Sequence, residues 1–241
     1  MDDRDRWARM LRAVTTERAS QPRRISELCV AMLGVTGAGV SMVTSSGHHS
    51  IVCATDSVSA RIEDLQLTLG EGPCVDAVRT GTPILVRDLD EPDDVAVERW
   101  PAFMEGAAKA GVRAVFAFPL HIGAIRVGAL DLYRDRPGEL GHERLSGALM
   151  AADAAALALL HLDLNDLDNL DHTAGTDADE NPATQQLQVH QATGMVQVQL
   201  NVTTEQAFLM LRARAFSTGR PLVDVAIDVV ERRLRFSTED Q

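Results

Sequence analysis

Around residues 163–182 the chain reads LDLNDLDNLDHTAGTDADENP, a stretch rich in Asp and Asn with no lysine or arginine. A segment that acidic and that poor in apolar side chains cannot bury enough surface to offset the entropy of ordering it, so it reads as a linker. It therefore divides a chain of 241 residues into a larger N-terminal part and a small C-terminal one, each rich enough in apolar residues for its own core. The expected division is an N-terminal helix over 1–24, one domain over 25–162, helix extension and linker over 163–182, a second domain over 183–236 and a tail over 237–241. The helix extension is inferred from Leu160, Leu164, Leu167 and Leu170, whose spacing continues the preceding helix toward Leu170.

The hydrophobic period changes repeatedly in the first part. Trp7, Met10, Leu11 and Val14 recur at three and four, as on an amphipathic helix, and a second helix is expected from about Ile25 to Leu33 after the break at Gln21-Pro22. AGVSMVTSSGHHSIVCATD then alternates like two strands (39–44 and 50–55) joined by a turn at Ser45-Ser46-Gly47-His48. A helix over 58–66, a short helix opened by Pro73, a strand over 83–87 and a helix over 95–110 follow. GVRAVFAFPLHIGAIRVGALDLYRD supplies two long strands turning near Ile122-Gly123-Ala124, and a long helix covers 141–162. This order predicts an α+β domain, an antiparallel sheet flanked by helices.

Past the linker the pattern is helical throughout. Asn181 as N-cap and Pro182 at the first helical position open a helix running to about Leu200. Thr203 and Gln206 form a capping-box pattern for a second helix ending near Ser217; a third starts near Pro221 and runs to about Arg235, with Leu222, Val225, Ala226, Val229 and Val230 as its stripe. Short connections make these an all-α three-helix unit. Although the formal net charge is −12, residues 183–236 hold six arginines against four acids. The last domain is thus mildly basic within an acidic chain, and guanidinium groups suit phosphates and stacked bases.

Few enzyme chemistries fit these residues. No P-loop, GxSxG or paired-carboxylate frame is present, so no catalytic residue is assigned and no enzyme is expected. Cys29, Cys53 and Cys74 are odd in number and far apart, which argues against disulfides and zinc and for a reducing cytoplasm. No metal ligand set is assigned: His48, His49 and His121 lack a third spaced partner, and Asp88, Asp90, Glu91, Asp93 and Asp94 lack calcium-loop spacing. Cys74, at a helix start behind Gly72-Pro73, is the candidate redox thiol, although a cysteine so placed is more often a small buried core residue. No apolar run is long enough to span a membrane.

VHQATGMVQVQL followed by TTEQAFLMLRARAFSTGRPLVDVAIDVVERRL resembles the ANTAR domain, an RNA-binding module of bacterial transcription antiterminators. The resemblance rests on Ala192 and Gly194 in the first helix, on Ala207, Leu211, Arg212 and Ala215 in the second, and on Val225, Ala226 and Val229 in the third. Thr193 stands where many members carry lysine. Residues 25–162 resemble the GAF domain, a small-molecule-sensing fold, through LGEGPCVDA, TPILVRDL and the strand pair behind them; the pairing is familiar in actinobacterial-type regulators. The implied function is signal-responsive antitermination, in which a homodimer presents two ANTAR domains to paired RNA stem-loops near a terminator. Candidate RNA-contacting residues are Gln191, Thr193, Gly194, Gln197, Arg212, Arg214 and Arg220. The GAF ligand, or any cofactor, is not identified by the sequence. Two rivals stand beside this reading: a DNA-binding helix-turn-helix, disfavoured by Asp224 and Asp228 on the third helix, and a dimeric ligand-binding interaction module that touches no nucleic acid.

Overall fold

The computed structural model describes residues 22–43, 49–91, 98–160 and 182–237. The expected helix over 1–20, the turn at Ser45–His48, the extension toward Leu170, the Asn181 cap and the last residues of the tail lie outside them. Two compact units are present, one built on a sheet and one on the three C-terminal helices.

The first unit opens with α1, Pro22–Leu33. It starts earlier than Ile25 because Pro22 does not interrupt the helix; at a first turn its missing N–H is no loss. Ile25, Leu28, Cys29 and Leu33 form its buried stripe. Strands β1 (Gly37–Val43) and β2 (His49–Ala54) pair antiparallel. Helix α2, Ser57–Leu69, is capped by Asp56, whose carboxylate accepts from the Val58 and Ser59 amides. Helix α3, Pro73–Thr80, has proline at its first position. Then come β3 (Ile84–Val86), α4 (Pro101–Lys109), β4 (Ala114–Ile122), β5 (Ile125–Arg134) and α5 (His142–Leu160).

The five strands lie in the order β2-β1-β5-β4-β3, each pair antiparallel. Central β4 and β5 are covered on both faces, which explains their near-continuous apolar runs: Phe116, Phe118, Leu120, Leu130 and Leu132 are all buried. On one face α1 and α5 pack over the sheet. There α5 brings Ala148, Ala151, Ala155 and Ala158, small residues that let a helix lie close. Cys74, Val78 and Ala129 pack on the other face.

The second unit comprises α6 (Pro182–Leu200), α7 (Thr204–Thr218) and α8 (Leu222–Val230). The capping box at Thr203 and Gln206 is present in full. Helix α8 ends at Val230, short of the expected Arg235. Arg232 turns left-handed (φ 62°), the Leu234 amide donates to Asp228 O (2.9 Å), and the chain folds back to bury Phe236. The Phe236 amide donates to Gln199 Oε1 at 2.9 Å, so an apolar anchor outweighs continuation of the helix.

Candidate functional site

On the three-helix unit, α6 divides sharply into two faces. Ala192, Val196 and Leu200, four residues apart, are buried against α7 and α8. Thr193 is buried beside them, and its hydroxyl donates to Val189 O at 2.7 Å, satisfying a polar group that faces the core. The opposite stripe exposes Leu187, Gln191, Gly194 and Val198. Nothing lies within 4 Å of a Cβ built at Gly194, so no packed neighbour requires glycine there. Gln197 is half-buried and accepts from the Thr204 hydroxyl at 3.0 Å, bracing the α6–α7 corner.

The arginines differ in how free they are. Arg212 sits on α7 with its guanidinium 6.0 Å from the Phe208 ring centre, the outer reach of a cation–π contact. Arg214 is exposed, and no ion pair involves it among the described residues. Arg220 is exposed but donates to Asp228 at 2.7 Å, and Arg233 donates to the other oxygen of the same carboxylate, also at 2.7 Å. This double clamp holds the Asp228 carboxyl below its usual range, and it explains why an acid tolerates a place on α8. Arg232 and Arg235 are exposed as well. The structure thus brings Gln191 and Gly194 onto one solvent-facing stripe, turns Thr193 away from it, and leaves Arg214 exposed, with no ion pair among the described residues.

In the sheet unit, Cys74 is buried at the start of α3. Its amide donates to Gln66 Oε1 at 2.8 Å and its sulfur lies 3.3 Å from Ser41 Oγ. A helix start lowers a thiol pKa, but here burial comes first and the neighbouring Asp131 and Glu63 add to it, pushing the thiol well above its normal value. Cys29 and Cys53 are pushed up to about 12, chiefly by burial. Sequence reasoning missed two residues beside Cys74: Glu63, on the inner face of α2, and Asp131, in the middle of β5, both buried. An acid inside the apolar run GALDLY was the signal that could have found Asp131.

A separate cleft of about 920 Å³ lies along edge strand β3, lined among others by Ile84, Val86, Arg87, Trp100, Phe116 and Glu139. Arg99 stacks over Trp100 (5.4 Å) and pairs with buried Asp76, which also accepts from the Trp100 indole N–H at 3.0 Å. This network holds one wall of the cleft.

Comparison with known proteins bears on both units. The GAF domain family model matches residues 23–159, more than half of the chain. The chain belongs to the GAF domain family. The ANTAR domain model matches residues 182–230, covering α6 to α8. Among solved structures, the GAF domain of an Acinetobacter phosphoenolpyruvate-protein phosphotransferase is 10% identical, covers 67% of this chain and 95% of its own, and has a TM-score of 0.52. A GAF domain/HD domain protein from Geobacter sulfurreducens is 15% identical, covering 59% of this chain and 92% of its own with a TM-score of 0.46. At 10% identity the likeness to the Acinetobacter domain is one of fold. No curated protein matches. A GAF domain joined to an ANTAR domain places the chain in signal transduction and transcription regulation, and neither domain is of a catalytic kind. Among the described residues, no helix is long and apolar enough to cross a membrane.

Proposed function

We propose that the protein is a signal-responsive antiterminator of the cytoplasm. Its ANTAR domains, two per homodimer, bind paired RNA stem-loops near a terminator and keep the terminator hairpin from closing. The observation that carries this reading is the ANTAR match over all three C-terminal helices, in a segment with six arginines against four acids. The RNA contacts are assigned to Arg214, exposed on α7, with Arg212 and Arg220 flanking it, and to the exposed Gln191 and Gly194 stripe with Gln197 at its edge. Thr193 acts by setting the rotation of α6, since its own hydroxyl is satisfied inside the helix. Guanidinium groups gain from both phosphates and unpaired bases, which an RNA loop offers together.

The cleft along β3 is of the size that takes a small organic ligand, and we assign the signal to it. Leu149, Leu157 and Leu160 are exposed on α5, an apolar outer face that suits pairing with the same helix of a second copy. A ligand that favours one arrangement of the dimer then changes RNA affinity by its differential affinity for the two arrangements.

The test is a salt-controlled binding titration of the full-length protein against two-hairpin RNAs with randomised loops, single hairpins and duplex DNA. The reading predicts preference of at least about tenfold for a subset of two-hairpin RNAs, with a complex of one RNA per dimer. Equal, weak binding to all three classes overturns it and leaves the interaction-module reading; preference for duplex DNA favours the helix-turn-helix reading.

A further inference from the structure

The interior of the GAF domain holds a group of acids that folding alone does not account for. Glu63 on α2, Cys74 on α3 and Asp131 on β5 are all buried, and one potential ligand atom from each lies within 4.8 Å of the others. Their outer partners come from three different elements. Tyr133 donates its hydroxyl to Glu63 Oε1; Gln66 donates to Asp131 Oδ2 at 3.5 Å and accepts the Cys74 amide at 2.8 Å; Ser41 lies 3.3 Å from the Cys74 sulfur. The second oxygen of Asp131, Oδ1, is fully buried, and among the described residues only a proton on the neighbouring Glu63 carboxyl or Cys74 thiol could meet it. A carboxylate oxygen left so in the interior costs free energy unless something positive meets it. Among the described residues, no arginine or lysine is among the groups acting on these residues; their charged neighbours are one another. The backbone also clears space for them. A Cβ at Gly39 would stand 2.4 Å from Glu63 Oε1, and one at Gly72, whose φ of +129° already demands glycine, 2.6 Å from Gln66 Oε1.

We propose that Glu63, Cys74 and Asp131 bind a single divalent first-row transition-metal ion inside the GAF domain, through one carboxylate oxygen each from Glu63 and Asp131 and the Cys74 thiolate. The thiolate excludes magnesium and calcium, which take oxygen donors, and the two carboxylates exclude a soft monovalent ion; zinc and ferrous iron fit the set. Metal bonds of about 2.0–2.3 Å require the three atoms to draw together by side-chain rotation. Tyr133, Gln66 and Ser41 then act as the outer shell that aims the ligands. Three protein ligands leave a fourth position for water or a small exogenous donor, a means by which an interior site reports a chemical signal.

The experiment uses the full-length protein, stripped with a chelator, reloaded with Zn²⁺ or Co²⁺ and desalted. Expected are about one retained ion per chain, by elemental analysis, and a thiolate-to-cobalt charge-transfer band in the near ultraviolet. Cys74→Ala should abolish the band, and Asp131→Asn should weaken Zn²⁺ binding about tenfold or more, while Cys29→Ala and Cys53→Ala keep both signals. Should Cys74→Ala fail to fold, a band that survives in both of the other cysteine variants still assigns the thiolate to Cys74, since the chain has three cysteines. Retention of less than about a tenth of an ion by the wild type, or a band that persists in Cys74→Ala, overturns the site and leaves a proton-sharing carboxyl pair in its place. None of these readouts depends on RNA binding.

Discussion

Arg214 and Arg220 occupy the same helix and its exit, yet only Arg220 is tied down, through Asp228. The two should therefore respond differently to removal. Arg214→Ala is expected to lower the slope of log affinity against log salt by about one and to leave the fold intact, because it loses a solvated phosphate contact and little else. Asp228 carries the reverse lesson. Its folded-state carboxyl is held below the usual range by Arg220 and then Arg233, so the stability it contributes is full above the normal carboxylate pKa and is lost as pH falls through the folded value. Helical circular dichroism of the wild type should soften as pH drops below about 4, and the Asp228→Asn protein should show a weaker pH dependence there. The three cysteines form a third case. With all three buried and their thiols raised, a thiol reagent at pH 8 should label none of them in the native protein and all of them after denaturation; rapid native labelling of Cys74 would restore it as a redox sensor. Position 74 was legible in the sequence as a helix start and as a buried core cysteine, but the acids beside it were not, because they come from elements remote in sequence.

Elements were easier to read than residues, and the reasons are local. Proline at a first turn, Thr203 with Gln206, and the switch from period two to period four need no tertiary information. Thr203→Ala should cost about 1 kcal/mol, read as faster native-state hydrogen exchange along α7, because it removes the acceptor for the Gln206 amide at 3.2 Å. Where the reading failed, tertiary contacts decided. The stripe of α8 gave no warning that Phe236 would be drawn back to the Gln199 side chain, and a helix prolonged to Arg235 would have left that ring in water. Sheet order was likewise hidden, since β1 pairs with β5 across most of the domain. That pairing makes a sharp test at Gly128: a Cβ there would sit 2.0 Å from Ser41 O, a backbone atom that cannot move aside. Gly128→Ala should destabilise the GAF domain by at least the roughly 1–3 kcal/mol of an overpacked core, seen as a lower urea midpoint.

For the molecule as a whole, charge and composition carried the division of labour. A mildly basic C-terminal domain in an acidic chain separates a domain that meets a polyanion from one that reads a signal. The candidate RNA surface was partly legible: the arginines could be named from the sequence, whereas their pairing and the inward turn of Thr193 depend on how α6, α7 and α8 pack. The acids inside the GAF domain were not legible as a group, because Glu63, Cys74 and Asp131 come from three elements that only the fold assembles. The central claim is antitermination by RNA binding, and the most direct measurement is single-round transcription through a terminator that overlaps a two-hairpin leader chosen by the binding titration. The account predicts that the wild-type protein raises read-through in proportion to hairpin occupancy and that Arg214→Ala raises it less at the same concentration. Full occupancy of the hairpins with termination unchanged would contradict it.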